Sequence, residues 1–519
     1  ASTKLQDAYN SGDDAKITSE FLGFTAALGS LVATIPTPQT RGIGIALNLA
    51  AGAAKGFWDN GWVSGSGWAN GQPPTIPGVD PIYDEMGNFI TDLQSAFHTA
   101  EINTSPLILD LDGDGVETLS KTANIHFDHD GNHFAETTGW VGKDDGLLVW
   151  DRNGNGKIDN GGELFGNNTL LASGSKAANG FAALADLDSN HDGKIDASDA
   201  AFAQLRVWKD GDSNAVASNG ELLTLNAAGV QSLDIAFTSQ SQTDAQGNQH
   251  LQAGQYTRTD GTTRSLTDVW FGTDMVRTID QSTVAVNSTI AALPDLQGFG
   301  NVPGLHQAMA KDTTGQLQGL VTSFANETDP AARSTIMTTL LYVWAGVNGI
   351  DSASRTSAHF GNTIGDERKL ATLEAILGEN FVGTGTDASN PVDAAAPVLT
   401  EAFDMLSYRL ASQLMVQTHF KSLYDSIELI WNESSRSFDF DVTAVISSLQ
   451  TRYDINMQSG LEWMNEFGEN LATNGQFGLQ ALTTIRQQGN SVGSGFSLHL
   501  SQIGWTHLEG DGHANTLYG

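Results

Sequence analysis

No cysteine occurs in the 519 residues, so disulfides and thiolate metal sites are excluded. Basic charge is scarce as well. The 25 Lys and Arg against 60 Asp and Glu leave a formal net charge of −35, which repels phosphate backbones and anionic surfaces and makes nucleic acid a poor partner. The first apolar run, Phe21 to Ile35, falls short of the roughly 20 residues a membrane helix needs. There is no H-E-x-x-H and no phosphate-binding P-loop, and no nucleophile constellation is legible. Residues 1–14 (ASTKLQDAYNSGDD) also lack the basic and then apolar regions of a cleavable export signal.

What the chain has in plenty is glycine, 57 residues, and acid. Composition and periodicity change along it in blocks. Residues 1–57 end in two small-apolar, Gly-punctuated segments joined at Ile35-Pro36-Thr37-Pro38, which read as closely packed helices, with membrane insertion as the alternative. Residues 58–104 are rich in Gly, Pro and Trp without periodicity and read as a linker or irregular loop. Residues 105–236 alternate short β-like runs, such as Leu107-Ile108-Leu109 and Leu147-Leu148-Val149-Trp150, with acidic loops, and 237–289 form a β-rich connection. From 290 to 490 apolar residues recur at helical spacing: Leu317, Leu320, Val321, Phe324; Ile336, Leu340, Val343, Val347; Leu399, Phe403, Leu406, Leu410, Leu414. Asp329-Pro330 offers an N-cap followed by Pro at the first helical position, and Asn390-Pro391 marks a loop before the longest helix. Residues 491–519 hold a strand-like alternation, Phe496 to Leu500, and a Gly-rich end. The fold class is multi-domain α+β: a helical N-terminal segment, an α+β loop module and a mainly α-helical C-terminal domain.

The chemistry lies in the loops. Residues 105–236 hold 21 Asp and Glu against 8 Lys and Arg. Calcium takes six to eight oxygens, so a short loop must present them at alternate positions while a glycine permits the turn. Asp188, Asn190, Asp192, Asp196 and Asp199 meet that demand at loop positions 1, 3, 5, 9 and 12, with Gly193 at the turn and the Lys194 carbonyl at position 7. Asp151, Asn153, Asn155, Lys157 and Asp159 repeat it, with Glu163 one residue late. Asp210, Asp212, Asn214, Val216 (carbonyl), Ser218 and Glu221 do so with Ala215 where glycine is expected. Asp110, Asp112, Asp114 and Glu117 open in the same way, and Asp128, Asp130, Asn132 and Glu136 give a looser version. His126, His129 and His133 suggest zinc only if they share a helix face, and Gly131 with its Asp and Asn neighbours argues for a loop.

The run SPLILDLDGDGVET from Ser105, followed by TGWVGKDDGLLVWDRNGNGKIDNGGELFG and FAALADLDSNHDGKIDASDAAFAQLRVWKD, resembles the self-processing module of iron-regulated RTX proteins. The segments LPDLQGFGNVPGLHQAM and DERKLATLEAILGENFVG look like the region that follows this module. Gly510 to Gly519 is similar to a degenerate glycine-rich repeat, so the chain stops where an RTX β-roll would start. The resemblance implies bound Ca2+, a secreted protein at the cell surface or outside the cell, and type I secretion machinery as a partner. It also implies cleavage of an Asp-Pro bond, in which calcium-driven folding lets the aspartate carboxyl attack its own peptide carbonyl. Here that bond is Ser105-Pro106. Serine has no carboxylate to form the anhydride, and no base is visible for its hydroxyl, so autoproteolysis is expected to be lost. The leading expectation is a non-enzymatic, calcium-folded exoprotein segment. The alternatives are a membrane-active toxin or bacteriocin using residues 19–57 against a host or competitor cell, an adhesin segment, and an autoprocessing module.

Overall fold

The computed structural model describes residues 103–356, 361–382, 389–393, 395–432, 437–489 and 495–504. The expectations for residues 1–102 and for the repeat-like end lie outside these. The described chain is mixed α+β, a curled antiparallel sheet followed by helices.

The short apolar runs become strands because they are buried on both faces. Leu107–Leu109 (β2) sends Leu107 and Leu109 into one core and Ile108 into another, the period-two alternation of a pleated strand. Gly146–Val149 (β7) does the same, with Leu148 on the first face and Leu147 and Val149 on the second. Around them lie Asn103–Thr104, Thr118–Leu119, Ile125–Phe127, Phe134–Thr138 and Trp140–Val141 (β1, β3, β4, β5, β6). Lys194–Ile195, Arg206–Trp208 and Leu222–Thr224 (β8, β9, β10) follow, then the long strands Val230–Thr243, Gln249–Arg258 and Thr263–Asp280 (β11, β12, β13). The main path runs β10-β9-β7-β2-β13-β12-β11-β8, antiparallel throughout. The stretch 237–289, set apart in the sequence as a connection, thus supplies β13, which pairs directly with β2, and β12 beside it. The helix Gly180–Ala185 (α1) packs Phe181 and Leu184 onto the first face. Phe127, Trp140, Trp208 and Phe271 fill the second, each ring contributing about 2–3 kcal/mol by burial.

β13 is long enough to serve two cores. Its Val276 belongs to the interior of the helical part. That part begins with Ser288–Ala291 and Leu305–Lys311 (α2, α3). Next come Gln316–Asn326, Pro330–Trp344, Glu367–Leu377 and Ala396–Gln417 (α4 to α7), of which α7 is the longest among the described residues. Lys421–Tyr424, Thr443–Ile455, Met457–Thr473, Gly475–Gly489 and Gly495–Ser501 (α8 to α12) complete it. Asp329 caps α5 as the sequence suggests, its carboxylate accepting from the Ala332 N–H at 2.8 Å. Two features differ from expectation. Phe496 to Leu500 is a helix, not a strand: Phe496 and Leu500, four apart, are buried while Leu498 is exposed, so the apolar alternation marks a helix face. A hairpin of Glu428–Asn432 and Ser437–Asp441 (β14, β15) also interrupts the helices.

Candidate metal centres

Four of the acidic loops leave the sheet at or just beyond a strand end, the one at Asp188 follows α1, and all five share one backbone. Counting from the first aspartate, positions 4 and 6 have positive φ in every case: Gly113 and Gly115, Gly131 and His133, Gly154 and Gly156, His191 and Gly193, Ser213 and Ala215. Four of these ten residues are not glycine, although the left-handed conformation costs an L-residue about 1 kcal/mol or more. The first aspartate supplies the compensation by gathering the turn's amides. Asp128 accepts from the N–H groups of Gly131, Asn132 and His133, and Asp151 from those of Gly154, Asn155 and Gly156. Asp188 accepts from Asp192 and Gly193, Asp210 from Asn214 and Ala215, and Asp110 from Gly113 at 2.6 Å. The oxygens at positions 3 and 5 repeat the theme. Asp130, Asn153, Asn155, Asn190, Asp192 and Asn214 each accept from the amide two residues on, which places Lys157, Lys194 and Val216 with their N–H groups turned into the loop.

A second carboxylate closes each loop. Glu163 accepts from the N–H of Arg152 at 3.0 Å and of Asp159 at 2.8 Å, so its late position in sequence is absorbed without loss of the closure. Asp199 accepts from Ser189 and Asp196, and Glu221 from Ser218. Glu136 accepts from His129. For the loop at Asp110 the closing group is Asp145, which takes the Leu111 N–H at 3.1 Å and the Glu117 N–H at 2.9 Å. Sequence reasoning missed Asp145. Its signal was the acidic pair Asp144-Asp145 directly before the β7 run, outside any loop-length template.

Three of the loops bring three carboxylates within 4.8 Å of one another: Asp110, Asp112 and Asp145; Asp128, Asp130 and Glu136; Asp210, Asp212 and Glu221. Among the described residues, the 151–163 and 188–199 loops form no such group. In the former the Asn153 and Asn155 amides both donate to Asp159, and in the latter Lys194 Nζ lies 3.0 Å from Asp196. Glu117 and Asp114 stand outside the first group. No histidine enters any of the three groups. His129 is buried beside Phe127 with Nε2 against Thr138 Oγ1, and burial pushes its imidazole down to about 3.

The electrostatics are those of sites short of positive charge. Burial pushes Asp145 up to about 8, with Glu117 adding to it, and Glu136 up to about 8, with Asp130 and Asp128 adding. Asp128 and Asp210 are raised by burial too. Asp114 is pushed up to about 6 by the hydrogen bond it shares with Asp112. A divalent cation would take the place of these protons, and clustered hard oxygen donors on a tight turn suit calcium chemically.

Ser105 lies away from the loops, buried between β1 and β2. Its N–H donates to Asn167 Oδ1 at 3.0 Å and its Oγ accepts from the Asn167 N–H at 3.1 Å. Gly166 packs on its carbonyl so closely that a Cβ there would stand 1.4 Å from the oxygen. Asp268 of β13 is beside it and fully buried. Its Oδ2 accepts from the Gly180 N–H at 2.5 Å, and Oδ1 has no hydrogen-bond donor. Burial pushes this carboxyl up to about 7, against the Gly180 amide and the nearby Ser105 hydroxyl.

Over 297 residues the chain is 39% identical to the iron-regulated protein FrpA of Neisseria meningitidis serogroup C, a stretch covering 56% of this chain and 26% of that protein. The match therefore spans about a quarter of the relative's length. Residues 107–272 match the SPM domain, so all five loops and most of the sheet that carries them lie within an SPM-domain match, in a chain similar over more than half its length to an iron-regulated protein.

Proposed function

We propose that this chain is a calcium-binding segment of an RTX-type exoprotein, exported by a type I system and folded when its loops meet external calcium. The observation that carries the reading is the common loop geometry: five turns with left-handed residues at positions 4 and 6, each with an amide-gripped first aspartate and a closing carboxylate. Extracellular-grade sites have dissociation constants on the order of 10⁻⁴–10⁻³ M, so they stay empty inside a cell and fill outside it. At tenfold excess one such site adds about 1.4 kcal/mol to the folded state. Several together decide whether the sheet half folds. Asp110, Asp112, Asp145, Asp128, Asp130, Glu136, Asp210, Asp212 and Glu221 are the first ligands we assign, with the 151–163 and 188–199 loops closing on ions through the same pattern. Millimolar calcium should raise thermal stability markedly while magnesium, which demands a stricter octahedron and keeps its waters, does not. Equal stabilisation by both ions, or by neither, rejects the reading.

The self-processing activity implied by the resemblance is inert in this chain because Ser105 carries no carboxylate. The native chain should stay uncut at Ser105-Pro106 in calcium over days, as read by mass spectrometry.

A further inference from the structure

The Ser105-Pro106 bond is held as a reacting bond would be. β13 runs antiparallel past it, pairing Phe271 with Thr104 and Asp268 with Leu107, and the Val269 N–H donates to the Pro106 carbonyl at 3.0 Å. Asn167 grips residue 105 at its N–H and its side chain, and Gly166 covers the carbonyl face. Into this enclosure the fold brings Asp268, 0% exposed, with Oδ1 lacking any donor. An orphan carboxyl oxygen in a core is a standing cost, and the elements around it leave it unsatisfied. β2 offers Leu107 and α1 only the Gly180 amide. Across on β12 stands Gln252, whose Oε1 accepts from Trp270. The groups that act on the Asp268 carboxyl are the Gly180 amide and the Ser105 hydroxyl, with no charged side chain among them.

We infer that Asp268 is the proton donor of a self-processing site at residue 105, retained here after the nucleophile was lost. The inference rests on the self-processing reading of the module. With aspartate at 105, two carboxyls in one dry pocket share a proton, since both cannot ionise side by side. The residue 105 carboxylate oxygen bonds to its own carbonyl carbon, the bond from that carbon to the Pro106 nitrogen breaks, and the Asp268 proton passes to that nitrogen. A cyclic anhydride, a free proline amine and an Asp268 carboxylate result. Water then opens the anhydride, leaving two carboxyl groups on residue 105 and returning a proton to Asp268. Burial holds Asp268 protonated up to about neutral pH, where an acid of this kind is most effective. Ser105 keeps the pocket and its acid and lacks the attacking group.

The test uses the full chain in calcium, with cleavage before Pro106 read by mass spectrometry from pH 5 to 9. Ser105→Asp should be cut, with a rate that falls about tenfold per pH unit above neutral as the acid ionises. Adding Asp268→Asn, which keeps an acceptor for the Gly180 amide, should slow cleavage by about 100-fold or more while leaving the calcium-bound melting temperature within a few degrees. Equal cleavage with and without Asp268→Asn, at the same pH profile, overturns the inference and leaves the self-processing reading standing. If the double variant does not fold, the single variant decides: a rate that stays flat up to pH 9 overturns the inference. A folded, calcium-bound Ser105→Asp chain that is uncut at every pH removes the underlying reading and the inference with it.

Discussion

The sheet and the helices of this chain bury charge in opposite ways. In the sheet half, Asp110, Asp128 and Asp210 are buried beside other carboxylates, with Arg264 no nearer than 3.9 Å to Asp110. In the helical half, buried charge comes with its partner: Arg333 pairs with Glu466, and Arg355 with both Glu367 and Glu374. The helical half rests on a large apolar core. On the proposed reading, the sheet half takes its balancing cations from solution. Calcium dependence should therefore be regional, and each prediction below tries that contrast.

Chelation should have the largest effect. Removing calcium should lower the melting temperature of the sheet half by on the order of 10 °C or more, the yield of several sites at about 1.4 kcal/mol each. Hydrogen exchange resolved by segment checks this, with protection lost across residues 105–280 and largely kept across 316–489. Uniform loss would erase the distinction. The converse perturbation is Phe467→Ala. Phe467 is fully buried against Phe420 and Tyr424, so truncation should cost about 3–5 kcal/mol in the helical half and leave the number of bound calcium ions unchanged.

Asp145→Asn should come next, removing about one ion and weakening the sheet half by about 1–3 kcal/mol through loss of a calcium ligand. Asp145 and Glu136 also set a pH dependence. Their folded values are raised to about 8, above unfolded values near 4, so the folded state binds the extra protons. Without calcium, stability should be highest below about pH 4 on this account, fall as pH rises through the window to about 8, and level off above it. Calcium should flatten the slope by replacing those protons, as melting measured across pH in chelator and in calcium would show. Asp329→Ala gives the smallest effect, about 1 kcal/mol from a lost helix cap, confined to the helical half and insensitive to calcium.

The sequence made the loops legible because their ligands are local: positions 1, 3 and 5 lie within one turn and accept from the amides of positions 4 to 7. It hid Asp145, which acts from 34 residues away and belongs to the approach to another strand. His133 and Ala215 are hidden for a different reason. Neither residue type signals a left-handed backbone, so the 128–136 loop looked loose and the 210–221 turn atypical, although both follow the common geometry. Helix periodicity found the helices with broad apolar faces, such as α7, and failed at α12, where seven residues are too few to separate period two from period 3.6. Asp268 was invisible because its neighbour Ser105 is brought to it only by strand pairing.

The most direct test of the central claim is a count of calcium ions bound per chain by isothermal titration, on the native protein and on Asp188→Ala/Asp192→Ala. The account predicts at least two ions on the native chain, a count about one lower in the double variant, and no displacement by equimolar magnesium. A native chain that binds no calcium, or a double variant with an unchanged count, would contradict it.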